Sequence, residues 1–169
     1  MSLFSAGASV NVTNTATETT LVSTVGKGSM YVPASFFTIG RGIRITARGT
    51  YDTEVVPVSL NIRVRIGGIA GTEIITTGDV TPAGTMTDQW WELTTDIICR
   101  STGATGTVIG HGSWRHGIGT TTGQEWPMVG TAATIDTQVA NQVVLSADWG
   151  VGADTDDDCV CDTLVMEAI

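Results

Sequence analysis

The side chains able to do chemistry in this chain are few. His111 and His116 are the only histidines, and Cys99, Cys159 and Cys161 the only cysteines. Nucleophilic catalysis needs a Ser or Cys, a base in hydrogen-bond reach, and a group to orient the base. Cys99 falls in a predicted strand next to the one carrying His111, so a Cys–His pair is conceivable. However, His111 lies on the face opposite Val108 and Trp114, among polar neighbours, which favours an ordinary surface histidine. His111 and His116, five residues apart on an extended segment, point to opposite faces and make a poor metal pair. Cys159 and Cys161 share one face as a C-x-C, and Cys99 could add a third thiolate. A structural zinc site asks for four ligands, and no fourth is evident.

Carboxylates are more plentiful. The run Ala153 to Asp158 (ADTDDD) places Asp154, Asp156 and Asp158 at the alternate spacing that opens an EF-hand loop. The position that requires Gly holds Cys159, and the bidentate Glu position holds Val165, so the motif fails. A solvated acidic loop between strands is the expected form, with a looser calcium site as the alternative. Glu92, Asp96, Asp136 and Asp148 could supply a glycosidase pair, but any acidic β protein offers such pairs. The glycine-rich stretches lack a P-loop lysine and a following helix. Neither a cofactor nor an enzymatic activity is expected.

Five tryptophans carry more information. Trp90 and Trp91 are adjacent in a predicted strand, so one faces inward and its neighbour must find other cover. Trp126 falls within QEWPMVG, in the predicted loop Gly117 to Ala132. An exposed indole either anchors an interface or stacks on a sugar. Subunit contact is the first expectation for Trp90, and ligand contact for Trp126.

These residues must be held by β-strands. Thr, Val, Ile and Gly dominate, hydrophobic residues make up 41% and charged residues 15% of the 169 positions. So little charge suggests that part of the surface is covered by other chains. Alternation at period 2 recurs through Gly42–Tyr51, Pro57–Ile66, Met86–Arg100, Gly106–Arg115, Asn141–Trp149 and Cys159–Ala168. The first two runs, separated by Asp52–Val56, read as a hairpin, as do the third and fourth across Ser101–Thr105. Trp91, Leu93, Ile97 and Cys99 should face the core. In the last run Val160, Leu164 and Met166 fall on one face, and Cys161 and Val165 on the other. Apolar side chains on both faces suggest an oligomer contact at Cys161 and Val165, together with Trp90. Two further strands are expected over Ala8–Thr13 and Thr17–Val25, broken at Asn14, and a helical turn over Val32–Gly40. The predicted architecture is an all-β antiparallel sandwich of eight to ten strands. It would form one jelly-roll domain over 8–169 after an N-terminal arm, 1–7.

The net charge of −9, with Lys27 the only lysine, opposes nucleic-acid binding. No stretch reaches the ~18–20 apolar residues that span a bilayer, and Met1–Gly7 lacks the pattern of a signal peptide. Three cysteines without framework spacing read as reduced, partly buried thiols of a protein assembled in the cytosol.

Several segments taken together carry a resemblance: TNTATETTLVST at Thr13–Thr24, YVPASFFTIGRGIRITARGTY at Tyr31–Tyr51, and VSLNIRVRIGG at Val58–Gly68. WWELTTDIICRSTGATGTVIGHG at Trp90–Gly112, VVLSADWG ending at Gly150, and the closing CVCDTLVMEAI continue it. With these the chain resembles a family of small bacteriophage structural proteins whose jelly-roll domains are similar to tumour necrosis factor and C1q heads. The resemblance implies a homotrimer on the virion surface. As a decoration (cement) protein it would bind the major capsid protein or other virion proteins. As a fibre-tip module it would recognise a host surface glycan. The absence of a stalk pattern favours decoration, and the resemblance brings no catalytic residue with it.

Overall fold

The computed structural model describes residues 1–119, 122–150 and 156–169. These residues contain fourteen strands and no helix. In chain order they are β1 Ser2–Ala6, β2 Val10–Thr13, β3 Thr19–Thr20, β4 Gly26–Gly28, β5 Tyr31–Val32, β6 Gly42–Thr53 and β7 Leu60–Ile66. There follow β8 Thr72–Thr76, β9 Met86–Ser101, β10 Gly106–Gly117, β11 Gly123–Val129, β12 Ala133–Ile135, β13 Asn141–Trp149 and β14 Asp158–Ala168. The strands not expected from the alternation are β1, β4, β5, β8, β11 and β12, none longer than seven residues.

Two antiparallel sheets face each other. The larger runs β11-β10-β9-β6-β14-β1-β4, with β12 also on β10 and β2 also on β14; the smaller runs β3-β13-β7-β8, with β5 on β13. Their inner faces interdigitate in one core, as expected of a sandwich about 10 Å thick. Ile43, Ile45, Ala47, Trp91, Leu93 and Ile97 from the larger sheet belong to the same core as Leu60, Ile62, Val64, Leu145 and Trp149 from the smaller. Two inward tryptophans satisfy their polar edges on backbone, whereas Nε1 of the equally buried Trp114 has no hydrogen-bond partner among the described residues. Trp91 Nε1 donates to Thr50 O (3.1 Å) and Val160 O (2.9 Å), and Trp149 Nε1 to Val12 O (3.0 Å).

The long hairpin of β9 and β10 forms as expected, from Trp91 opposite His116 to Ser101 opposite Thr107. The other expected hairpin does not. β6 pairs with β9 and β14, whereas β7 pairs with β13 and β8 in the opposite sheet. Period-2 alternation fixes which side chains point inward but says nothing about the partner strand, and the intervening residues carry the chain across the sandwich.

Three further corrections concern local structure. Met1–Gly7 is not a free arm: β1 inserts between β14 and β4, and Phe4 is 2% exposed in the core. No helical turn forms after β5. Phe36 N donates to Pro33 O (3.1 Å), closing a tight turn with Ser35 at positive φ, and Phe36 and Phe37 drop into the core. The expected strand over Thr17–Val25 shortens to β3, with Leu21 and Val22 buried beyond it; Asn14, at φ 45°, makes the predicted break.

The fourth correction bears on function. β14 carries a bulge, because Cys161 pairs with Gly49 but Arg48 pairs with Thr163, leaving Asp162 as an extra residue. The inward parity therefore switches. Cys159 and Cys161 face the core before the bulge, and Leu164 and Met166 after it. Cys161 is 2% exposed within the core, so the two-faced apolar strand read from the sequence is one inward face interrupted by a bulge. Gly49 permits this. A Cβ there would lie 1.8 Å from Val160 O, a distance no side chain tolerates.

Candidate functional site

The outer surfaces of both sheets are laced by cross-strand charge pairs. On the larger sheet, Arg44 lies opposite Asp96 and grips both its oxygens, each at 2.7 Å; four residues on, Arg48 Nε reaches Glu92 at 2.6 Å. On the smaller sheet, Arg63 and Arg65 share Glu18, Glu73 and Asp148. Arg65 holds Glu18 bidentately at 2.6 and 2.8 Å, and Ser146 Oγ adds a bond of 2.5 Å. The Arg65 fork is the main reason the Glu18 carboxyl titrates below its ordinary value, against the opposing effect of burial. Four of the seven arginines, Arg44, Arg48, Arg63 and Arg65, are thus members of these pairs.

Two open pockets lie on the larger sheet. One, about 560 Å³, is lined by Asp52, Glu54, Asp156 and Asp158 with Thr53, Thr85 and Thr87. Asp52 Oδ1 accepts from Asp88 N (2.7 Å), and Asp157, fully buried, accepts from Glu54 N (3.3 Å). Of the acidic run, Ala153, Asp154 and Thr155 lie outside the described residues. Among the described residues, no three His, Cys, Asp or Glu side chains are placed to hold a metal.

The other pocket, about 530 Å³, contains Thr94, Asp96, His111, Ser113 and Glu125. It brings a serine, a histidine and an aspartate together, a grouping that sequence spacing did not suggest because Asp96 enters from the neighbouring strand, opposite His111. Asp96 is spent on Arg44 through both oxygens, so it does not orient the imidazole as a triad requires.

The thiols do not converge. Cys159 pairs with Tyr51, which pairs with Gln89, and Cys99 lies ten residues further along β9, a separation of roughly 33 Å at strand rise. A three-thiolate site is excluded by this geometry. Burial raises all three thiol pKa values, that of Cys161 to about 12.

Of the two tryptophans left open by the sequence, one is tied to the core and the other lies at the surface. Trp126 is not in a loop: it lies in β11, opposite Trp114 of β10, half-buried against the core. Its Nε1 donates to His116 Nε2 at 3.1 Å. His116 is fully buried, stacked on Trp114 at 4.2 Å between ring centres, with Nδ1 3.2 Å from the Tyr51 hydroxyl. Alternation sets His116 on the face of Trp114, opposite His111, and because β10 extends two residues past the predicted strand end the imidazole is carried into the core. Trp90 is 45% exposed. Its Nε1-bearing edge lies over Gly117 and Gly123, cross-strand partners at the mouth of the β10–β11 hairpin; a Cβ at either would come within 2.9 or 3.2 Å of the indole. Val165 stays on the outer face, half-buried, opposite Thr46 and Ser5.

Comparison with protein families, with curated proteins and with solved structures finds no match.

Proposed function

We propose that this chain is a non-enzymatic structural module of a bacteriophage particle, a homotrimeric decoration protein seated on the major capsid protein at the outer head surface. The supporting observation is how the charged side chains of the two sheet surfaces are used. Arg44, Arg48, Arg63 and Arg65 hold Asp96, Glu92, Asp148, Glu18 and Glu73 in cross-strand pairs. Groups that could act as acids, bases or electrostatic clamps serve instead to brace the sheets, which suits a protein whose task is to persist in a lattice. The virion assignment rests on the sequence resemblance. Within this reading Trp90 and Val165 remain the candidate subunit contacts, and Cys161 leaves the set because it is buried in its own core. Quantitative mass spectrometry of purified particles, with imaging of the head surface, tests it. Hundreds of copies on the head are expected, whereas a few copies at the tail or one vertex would overturn the decoration role.

Trp90 favours a second reading, a fibre-tip module that recognises a host surface glycan. An indole 45% exposed on the outer face of the larger sheet suits stacking on a sugar face. Trp126, engaged with His116, no longer carries this role. Binding of the purified protein to host-cell polysaccharide, lost in Trp90→Ala and kept in Trp126→Phe, would establish it; no binding by the unmodified protein would dismiss it.

A further inference from the structure

The environment of His116 fixes its proton. The Tyr51 hydroxyl donates to Gly117 O at 2.5 Å, because a carbonyl can only accept. The same hydroxyl lies 3.2 Å from His116 Nδ1, so with its proton committed its oxygen accepts there, and Nδ1 carries a hydrogen. On the other side of the ring, Trp126 Nε1–H is a donor with no capacity to accept, and it points at Nε2 from 3.1 Å. Nε2 must therefore hold its lone pair. The ring is a neutral Nδ1–H tautomer, and it joins β6 through Tyr51, β10 through its own backbone, and β11 through Trp126.

A second proton has no place to go. It would set an N–H on Nε2 against the Trp126 N–H, in a site closed to water, since His116 is fully buried. Burial also holds the imidazole below its ordinary value of 6.5, with the Gly117 backbone pulling modestly the other way. Among the described residues, the surrounding charges offer no counter-ion. Tyr51 is the titratable group in contact, and burial pushes its phenol up to about 12. Cys159 of β14, opposite Tyr51, is buried and protonated. Arg115, Glu125 and Glu92 occupy flanking positions of β10, β11 and β9 that face the outer surface. Arg63 and Asp148 of the smaller sheet pair with each other.

β11 is an edge strand of seven residues. It ends the larger sheet, pairing with β10, and only Trp126 and Met128 turn toward the core. Edge strands of this kind open locally at lower cost than central ones.

We propose that His116 is an acid-sensitive clasp: its protonation ejects the Trp126 donor and frees β11 from the sandwich while the central strands stay paired. Release would uncover Trp126, its cross-strand partner Trp114 and the hydrogen-bonding edge of β10. The sign follows from linkage. The clasp contributes its full stability above the ordinary imidazole value of 6.5, and that contribution is lost progressively as pH falls from there toward the lower folded-state value.

Two measurements on the unmodified protein test this. Nitrogen-15 NMR of the imidazole at neutral pH is expected to show protonated Nδ1 and bare Nε2; the opposite tautomer would overturn the proposal. Hydrogen exchange, corrected for intrinsic rates, is expected to accelerate in 123–129 by about tenfold or more between pH 7.5 and 5, with 43–47 and 143–147 still protected. Equal loss in all three segments, or no change in 123–129, would sink it. His116→Gln, which cannot take up the proton, should abolish the pH dependence, and His111→Gln on the outer face of the same strand should keep it.

Discussion

Cys99, Cys159 and Cys161 show how a residue's surroundings decide what its type can do. A thiol reacts as thiolate, and each of these is buried with its pKa raised, Cys161 to about 12. The native protein at pH 8 should therefore resist iodoacetamide at all three positions, and mass spectrometry should find three alkylated cysteines only after denaturation. Rapid native labelling of Cys161 would mean that β14 does not seat it in the core. The tryptophans make the same point in the opposite direction. Trp90 and Trp126 are alike in the sequence, yet one lies over a glycine pair at the surface and the other is tied to a buried imidazole.

At the scale of elements, β14 and the segment carrying Glu18 do the most to define the sandwich. The bulge at Asp162 needs Gly49 opposite, since a Cβ there would strike Val160 O. Gly49→Ala should cost about 1–3 kcal/mol, as overpacking typically does, seen as a lower denaturant midpoint with unchanged cooperativity. Glu18 fastens the stretch between β2 and β3 onto the outer face of the smaller sheet through Arg65 and Ser146. Its carboxyl titrates below 4.5 in the folded chain, so the stability it contributes is present above pH 4.5 and is lost as pH falls through the folded-state value. Glu18→Gln should destabilise by about 1–2 kcal/mol at pH 7 and flatten the acid limb of the stability profile below pH 4.5. An unchanged acid limb would show that other carboxylates dominate it.

For the whole molecule, low charge and a surface braced by internal ion pairs fit a chain that functions in an assembly. Light scattering on the eluting protein should give three times the 17.6 kDa chain mass, and a stable monomer at micromolar concentration would count against the trimer. The candidate contact surface is the outer face of the larger sheet, where Trp90 and Val165 lie. Trp90→Asp would place a charge there without touching the core, and it should shift the trimer toward monomer while leaving the thermal transition of the monomer unit intact.

The β class, the inward face of every long strand except β14 and the β9–β10 hairpin were all legible in the sequence. Each depends on alternation or on a short Gly-containing loop, which are local properties of the chain. The partner of β6, the insertion of β1 and the burial of Cys161 were not legible. Strand pairing across tens of residues is chosen by the fit of two whole faces, and a single bulge at Asp162 reverses the parity of everything after it. The partners of His116 were not legible either. Its partners Tyr51 and Trp126 lie 65 residues before it and 10 after it, and only the closed sandwich brings an acceptor to one side of that ring and a donor to the other.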